Sequence, residues 1–319
     1  MIIYHLSQPR NGILLSMISR QTYGNLTWID LETPTHREVR DIADEFGIAP
    51  IVAEEILLPS TKPRVDFYDS YIYIILHFPI LHHSHTTFEQ EVDFVIGRNF
   101  LITTHYEVID PIHKFSKIFE VNSILDKSAI IEHAGFVFFY MLKKLYRDIE
   151  SQIDNNRQDL LHIEEDIFDG HEIKVVKSIS RVARDLLNMR QTIEPHREVL
   201  KTLEAEGSNF FGEKFSPYLR TLANEYYRVH NQTTRLTDFL HELRETNNSL
   251  LSTKENETMR TLTLMALLTF PLSLMVAILQ IDTVHNPIRG LPGDFWIILG
   301  SVVVVGSGMI LYFRRRKWL

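Results

Sequence analysis

Hydrophobic and polar positions divide this chain sharply. From Leu262 to Leu279 no charged residue occurs, and only Thr263, Thr269, Pro271 and Ser273 interrupt the apolar run. Phe295 to Phe313 is again free of charge. Each run approaches the roughly 20 residues that a helix needs to cross the hydrocarbon core of a bilayer. The alternative is a pair of buried core helices, but two uncharged runs this long and this close have no partner core in the chain. Arg314, Arg315, Arg316 and Lys317 follow the second run directly, and Lys254 and Arg260 precede the first. Between the runs Arg289 is the one firm cation, against Asp282 and Asp294. The positive-inside rule therefore puts both termini in the cytoplasm and the short connection outside.

Ahead of the spans the pattern changes twice. Leu26–Leu31, Val65–Phe67 and Tyr71–Phe78 read as strands, and Glu91–Ile96 with Phe100–Tyr106 as a hairpin about Gly97-Arg98-Asn99. Thr35 with Glu38 three residues on is a capping box opening a helix that ends at Gly47, and a second helix runs Pro50–Leu58. From Pro111 the period turns helical. One long helix covers Ile130–Phe168, a second covers Ile173–Leu203 with a kink at Pro195, and a loop containing Gly207 and Gly212 follows. A third runs unbroken from Tyr218 through Leu279, about 90 Å at 1.5 Å per residue. The predicted divisions are an N-terminal α/β cytoplasmic domain at 1–110, a long helical hairpin at 111–216, a stalk helix at 217–261, the first span at 262–280, an external loop at 281–294, the second span at 295–313 and a basic tail at 314–319.

Composition narrows the function. A formal net charge of -8 argues against nucleic acid as a partner. There is no cysteine, so neither a disulfide framework nor a thiolate metal site is expected. Met1–Gln8 lacks the features of a cleavable signal peptide. No nucleophile motif, glycine-rich phosphate loop or His-Glu-x-x-His is present, and no enzyme activity is expected. On the first span, Met259, Leu262, Ala266, Phe270, Ser273, Ala277 and Gln280 recur every three or four residues and form one helix face. That face either lines a pore or packs helix on helix.

Several segments together resemble the CorA-type divalent metal ion transporters of the two-span, Gly-Met-Asn kind. They are Trp28-Ile29-Asp30-Leu31, Pro34-Thr35, Phe46-Gly47-Ile48-Ala49-Pro50, Lys62-Pro63-Arg64-Val65, Ile74-Ile75-Leu76-His77 and Phe100–His105, then Asn256–Met259, Phe270–Leu274 and the closing Lys317-Trp318-Leu319. The resemblance covers nearly the whole chain. It implies an α/β cytoplasmic domain with long stalk helices and two transmembrane helices, assembled as a funnel-shaped homopentamer in the inner or plasma membrane. Five first spans would line a central pore for divalent cations (Mg2+, Zn2+, Co2+ or Ni2+), and no obligatory cofactor is implied. Met259, Leu262 and Phe270 would be hydrophobic constrictions that gate by dewetting, and Ser273 a polar ring. Arg314, Arg315, Arg316 and Lys317 would ring the inner mouth beside lipid headgroups.

Two departures follow. The family's Gly-Met-Asn filter at the outer end of the first span is replaced by Gln280-Ile281-Asp282. A ring of five Asp282 carboxylates would concentrate cations and also hold them tightly, and its own repulsion opposes full ionisation. Alternatively, Asp282 faces solvent. A pentamer that conducts poorly and serves as a membrane scaffold is the second reading. The family also binds regulatory Mg2+ between cytoplasmic domains. Glu55, with Glu54 beside it, matches one ligand position, whereas the other is Thr221, with Glu225 one turn away as a substitute. A divalent cation, Mg2+ or Zn2+, is thus the expected substrate and regulator. His82, His83 and His85 form either a metal-binding cluster or a polar hairpin tip. Glu164-Glu165-Asp166 is either a cation-attracting run or a solvated helix end.

Overall fold

The structure is a computed structural model and describes residues 17–60, 62–79, 89–106, 109, 112, 115, 133–281 and 293–316. It divides into two compact units, Met1–Arg244 and Glu245–Leu319.

The first unit is built on six strands: β1 (Met17–Tyr23), β2 (Leu26–Glu32), β3 (Arg64–Phe67), β4 (Tyr71–Pro79), β5 (Glu89–Gly97) and β6 (Phe100–His105). Their spatial order is β1-β2-β6-β5-β4-β3. The β2–β6 pair is parallel and every other pair antiparallel. Two short helices, α1 (His36–Phe46) and α2 (Pro50–Glu55), cover one face. There Ile29, Leu31, Val39, Ile75, Val95 and Ile102 share a core with Val52 and Ile56. The capping box of α1 is formed: Glu38 Oε2 accepts from the Thr35 N–H at 2.7 Å, and Thr35 Oγ1 accepts from the Glu38 N–H at 3.4 Å. Gly47 ends α1 in the left-handed region at φ 67°, which a side chain would disfavour.

Three longer helices cover the other face: α3 (Ala134–Phe168), α4 (Glu172–Ile193) and α5 (His196–Phe211). Phe94 meets Phe138 at 5.2 Å and Phe78 meets Tyr146 at 6.4 Å between ring centroids. With helices on both faces, every residue of β4 is buried, which is why β4 reads as an unalternating apolar run. After a short 3₁₀ turn (Glu213–Phe215), α6 (Ser216–Gln280) runs for 65 residues.

The structure departs from the sequence reading in five places. β1 was not anticipated. The second helix stops at Glu55 rather than Leu58. The helix expected from Ile130 begins at Ala134, where the His133 ring accepts from the Gly135 N–H at 3.1 Å; residues 130–132 lie outside the described set. The helix expected over Ile173–Leu203 is two helices, α4 and α5, broken at Glu194-Pro195, because proline lacks the N–H that the ladder needs. Gly207 lies inside α5 and not in a loop. A Cβ there would stand 2.8 Å from Leu219 Cδ1, so its lack of a side chain lets α5 and α6 approach.

The second unit contains the remainder of α6 and a last helix, α7 (Asp294–Arg315). The most apolar stretches of the two helices are 0 % and 6 % buried, so neither is a core helix of this chain, and both are long and apolar enough to cross a membrane. Pro271 sits within α6 without ending it. Leu264, Leu268, Leu272, Met275 and Leu279 of α6 are half-covered, as are Ile298, Ser301, Val302 and Met309 of α7. Gly306 is buried between them, its missing Cβ 3.5 Å from Leu272 Cδ1. Small residues at such a seam allow the close approach that replaces hydrophobic driving force within lipid.

His196 pins the helices to the sheet. It is fully buried. Its Nε2 donates to the His77 carbonyl at 2.7 Å, and its Nδ1 accepts from the Tyr146 hydroxyl at 2.8 Å. Burial pushes this imidazole down to about 4 from its ordinary 6.5. The unfolded chain therefore binds the proton first, so the His196 contribution is complete above pH 6.5 and is lost as pH falls toward 4. The loss amounts to about 3 kcal/mol. Unfolding followed against pH in this window should show that slope in the native chain and a flatter profile in His196→Gln.

Candidate ion pathway

At 100° per residue the half-covered seam residues of α6 cluster about one direction, and the stripe from Met259 to Gln280 lies roughly 155° away. The stripe is thus turned away from α7 of the same chain. Met259, Leu262 and Phe270 are 61 %, 56 % and 74 % exposed. Ser273, Ala277 and Gln280 are also exposed, and Ala266 is half-covered. Leu274 and Ile278, on a third side of the helix, are exposed as well and wholly apolar.

Polarity separates the two uncovered sides. Between Leu262 and Gln280 the polar side chains are Thr263, Thr269, Ser273 and Gln280; the last three fall within a sector of roughly 40° at the stripe, whereas Thr263, at the start of the run, lies nearer the direction of Leu274. Thr269 was not singled out from the sequence, although the same angular count identifies it. Its hydroxyl donates to the Met265 carbonyl at 2.8 Å, which leaves the oxygen lone pairs for another partner. At its C-terminal end the helix closes at Gln280, and the Ile281 N–H reaches the Ile278 carbonyl at 3.3 Å. Asp282, expected from the sequence to stand at the third filter position, lies outside the described residues. At the inner end, Arg260, Thr263, Leu264 and Leu267 line an open cavity of about 460 Å³ on another side of α6. Arg314 and Arg315 occupy the last turn of α7, where cations suit the carbonyl end of the dipole. Arg316 lies over the Tyr312 ring at 5.9 Å, and Lys317 is outside the described residues.

The carboxylates expected to hold a regulatory cation are placed differently from one another. Glu55 is ion-paired with Arg64, which also bonds Asp66 at 2.7 Å. Glu225 is buried, contacts Arg228 and has Lys143 Nζ at 3.7 Å. Arg228 also reaches Glu150. Two cations already surround Glu225, so a metal ion there would have to displace them. Glu54 is exposed. Thr221 donates to the Pro217 carbonyl at 2.8 Å. Among the described residues no three His, Asp or Glu side chains are placed to share a metal ion, so one chain does not bring Glu54, Glu55 and Glu225 together. Glu165 faces His162 at 3.5 Å, and Asp166 faces His171 at 3.6 Å, at a solvated helix end. His82, His83 and His85 lie outside the described residues.

The family profile described as CorA-like Mg2+ transporter protein matches residues 23–315. The chain belongs to that family. A CorA relative from Thermotoga maritima, a cobalt/magnesium transport protein, is 25 % identical over 299 residues, covering 92 % of this chain and 83 % of the relative. The complete CorA magnesium transporter structure from Methanocaldococcus jannaschii aligns with a TM-score of 0.82 at 19 % identity, over 100 % of this chain and 98 % of that one. The full-length CmaX protein aligns with a TM-score of 0.69 at 17 % identity, over 99 % and 98 % of the two chains. At those identities the structures establish a shared CorA fold, with an α/β unit, a long helix and two apolar helices.

The pairing around Glu225 predicts a structural role. Glu225→Gln should lower unfolding stability by about 1–2 kcal/mol. The loss should be equal in Mg2+ and in chelator when read by thermal or denaturant unfolding. A loss confined to Mg2+ would restore the metal-ligand assignment.

Proposed function

We propose that five copies of this chain form a channel for divalent metal cations in the inner or plasma membrane, with both termini cytoplasmic and the α6 stripe lining a central pore. The observation that carries this reading is the polar sector on the uncovered side of α6. Thr269, Ser273 and Gln280 gain nothing from lipid, whereas a water-filled path hydrates them. Family membership supports the same reading, and the relatives that are cobalt/magnesium transport proteins point to the cation class.

The arrangement suits ions that keep their water. Mg2+ dehydrates reluctantly, so neutral oxygens at Ser273 and Gln280 hold a hydrated ion by its shell rather than bind it directly. Met259, Leu262 and Phe270 are rings that interrupt the water column, and a ring of five Phe270 side chains would be the bulkiest barrier. At the outer mouth Asp282 adds charge where the family has an amide. It raises local cation concentration and slows release, which favours capture over throughput. The basic ring of Arg314, Arg315, Arg316 and Lys317 sits at the inner lipid surface. A regulatory cation, if one binds between cytoplasmic domains, draws on Glu54 and on oxygens of a second copy, since Glu55 and Glu225 are already paired within one chain.

Uptake of Mg2+, Co2+, Ni2+ and Zn2+ into liposomes containing the purified pentamer tests the proposal. Measurable flux of at least one is expected. Intact pentamers that carry none would favour the non-conducting scaffold that the altered filter also allows. Phe270→Ala should raise flux several-fold. Asp282→Asn should weaken cation capture, seen as a higher half-saturating concentration; an unchanged concentration dependence would remove the carboxylate ring.

A further inference from the structure

β5 carries Glu91 and Asp93 two residues apart, so both side chains point to the sheet face beneath α1 and α2. They are 7 % and 1 % exposed. Across the ladder Glu91 pairs with His77 of β4, and Asp93 with Thr104 of β6. Glu91 Oε2 accepts from His77 Nε2 at 3.0 Å and from the Ser60 N–H at 2.6 Å. Asp93 Oδ2 accepts from the Tyr73 hydroxyl at 3.3 Å. The other two carboxyl oxygens, Glu91 Oε1 and Asp93 Oδ1, are buried without a partner. So is the Thr104 hydroxyl, on the strand opposite Asp93. Unpartnered buried oxygens of this kind cost about 1–3 kcal/mol each.

The charges do not balance either. His77 is raised above its ordinary value: burial opposes this, but the Glu91 hydrogen bond and the nearby carboxylates outweigh it. An imidazolium there neutralises one carboxylate. The closest guanidinium, Arg64, is engaged with Glu55 and Asp66. A second ionised carboxylate beside Glu91 would have no cation of its own.

We propose that Glu91 and Asp93 form a buried proton-binding site, in which Asp93 Oδ1–H donates to Glu91 Oε1. One hydrogen supplies both missing partners and removes the surplus charge. The two carboxyl groups are within hydrogen-bond reach, and burial together with Glu91 pushes the Asp93 carboxyl well above the carboxylate range. The groups facing the pair are Tyr73 and His77 from β4, Arg64 from β3 and Tyr106 beyond β6; Glu89 acts on His77, and Glu55 of α2 on Tyr73 and Arg64. Through Glu91 and the Ser60 N–H, this proton fastens the segment after α2 to the centre of the sheet. Rising pH removes it, places two anions together and loosens that segment, which makes the site a pH-responsive latch in the α/β unit.

An amide at position 93 reproduces the protonated acid, with an N–H toward Glu91 and an oxygen toward Tyr73. The test uses the full chain in detergent. Infrared spectra in D2O at neutral pH should show the C=O stretch of a protonated carboxylic acid in the native chain, and Asp93→Asn should lack it. Because the folded state of the native chain holds a proton that the unfolded chain has released above the ordinary carboxylate range, its stability falls as pH rises toward the folded value. Asp93→Asn lacks that slope, so its apparent melting temperature should exceed the native one by a margin that grows by roughly a few degrees with pH. The same margins are expected in Mg2+ and in chelator. No acid band at neutral pH, an Asp93→Asn chain that unfolds or melts below the native chain, or a band that vanishes on adding Mg2+ would each overturn the proposal.

Discussion

A peptide group inside hydrocarbon has no water to bond, and each unmet N–H or C=O costs several kcal/mol. That single constraint forces both uncharged stretches into helices. It also leaves their side chains to settle which side meets lipid, which meets the other helix and which meets neither. α7 answers more simply, with a seam of Ile298, Ser301, Val302, Gly306 and Met309 and mostly apolar residues elsewhere, Ser307 being an exposed exception. α6 does not. It has a leucine-rich seam, a side at Leu274 and Ile278 that is apolar beyond Thr263, and a further side where Thr269, Ser273 and Gln280 gather. Lipid and α7 account for the first two. On the proposed reading the third meets water along an axis shared by repeated copies of the chain.

The same accounting of polar groups governs the α/β unit in water. Its sheet is covered on both faces, so every polar side chain placed there must find a partner inside. His196 does so by remaining neutral, with one ring nitrogen donating to β4 and the other accepting from α3. His77 does so by donating to Glu91, and that hydrogen bond outweighs burial and raises its pKa. Two histidines in one unit are thus driven in opposite directions, one chiefly by burial and the other by an adjacent carboxylate that outweighs burial. The two coexist because a backbone carbonyl stands between them: His77 presents its ring to β5 and its carbonyl to His196.

Much of this architecture was legible in the sequence because the signals are local. The Thr35–Glu38 box, the Gly47 stop, the Gly97-Arg98-Asn99 turn and the two uncharged runs each depend on near neighbours. What escaped depends on distant ones. β1 is an edge strand whose Ser19, Arg20 and Gln21 dilute the alternation, and only its pairing with β2 defines it. Gly207 looks like a loop residue until Leu219 is seen packed against it. Glu91 and Asp93 look like the solvent side of a strand, because a strand buried on both faces loses the alternation that would have marked them as inward. The pore stripe was readable as a helix face. Its polar member Thr269 was passed over because it flanks that face. Glu225 read as a free carboxylate, and only the fold brings Lys143 to it from α3.

The chain contains no cysteine, so single cysteines report on α6 without background. Each of Ser273, Ala277, Leu274 and Ile278 can be replaced in turn and the pentamer treated in liposomes with a membrane-impermeant thiol reagent during divalent-cation uptake. Block of flux at positions 273 and 277, with none at 274 and 278, is the result expected if the polar side of α6 faces a water-filled axis. Block at 274 and 278, with 273 and 277 inert, would turn that side toward lipid and contradict the account.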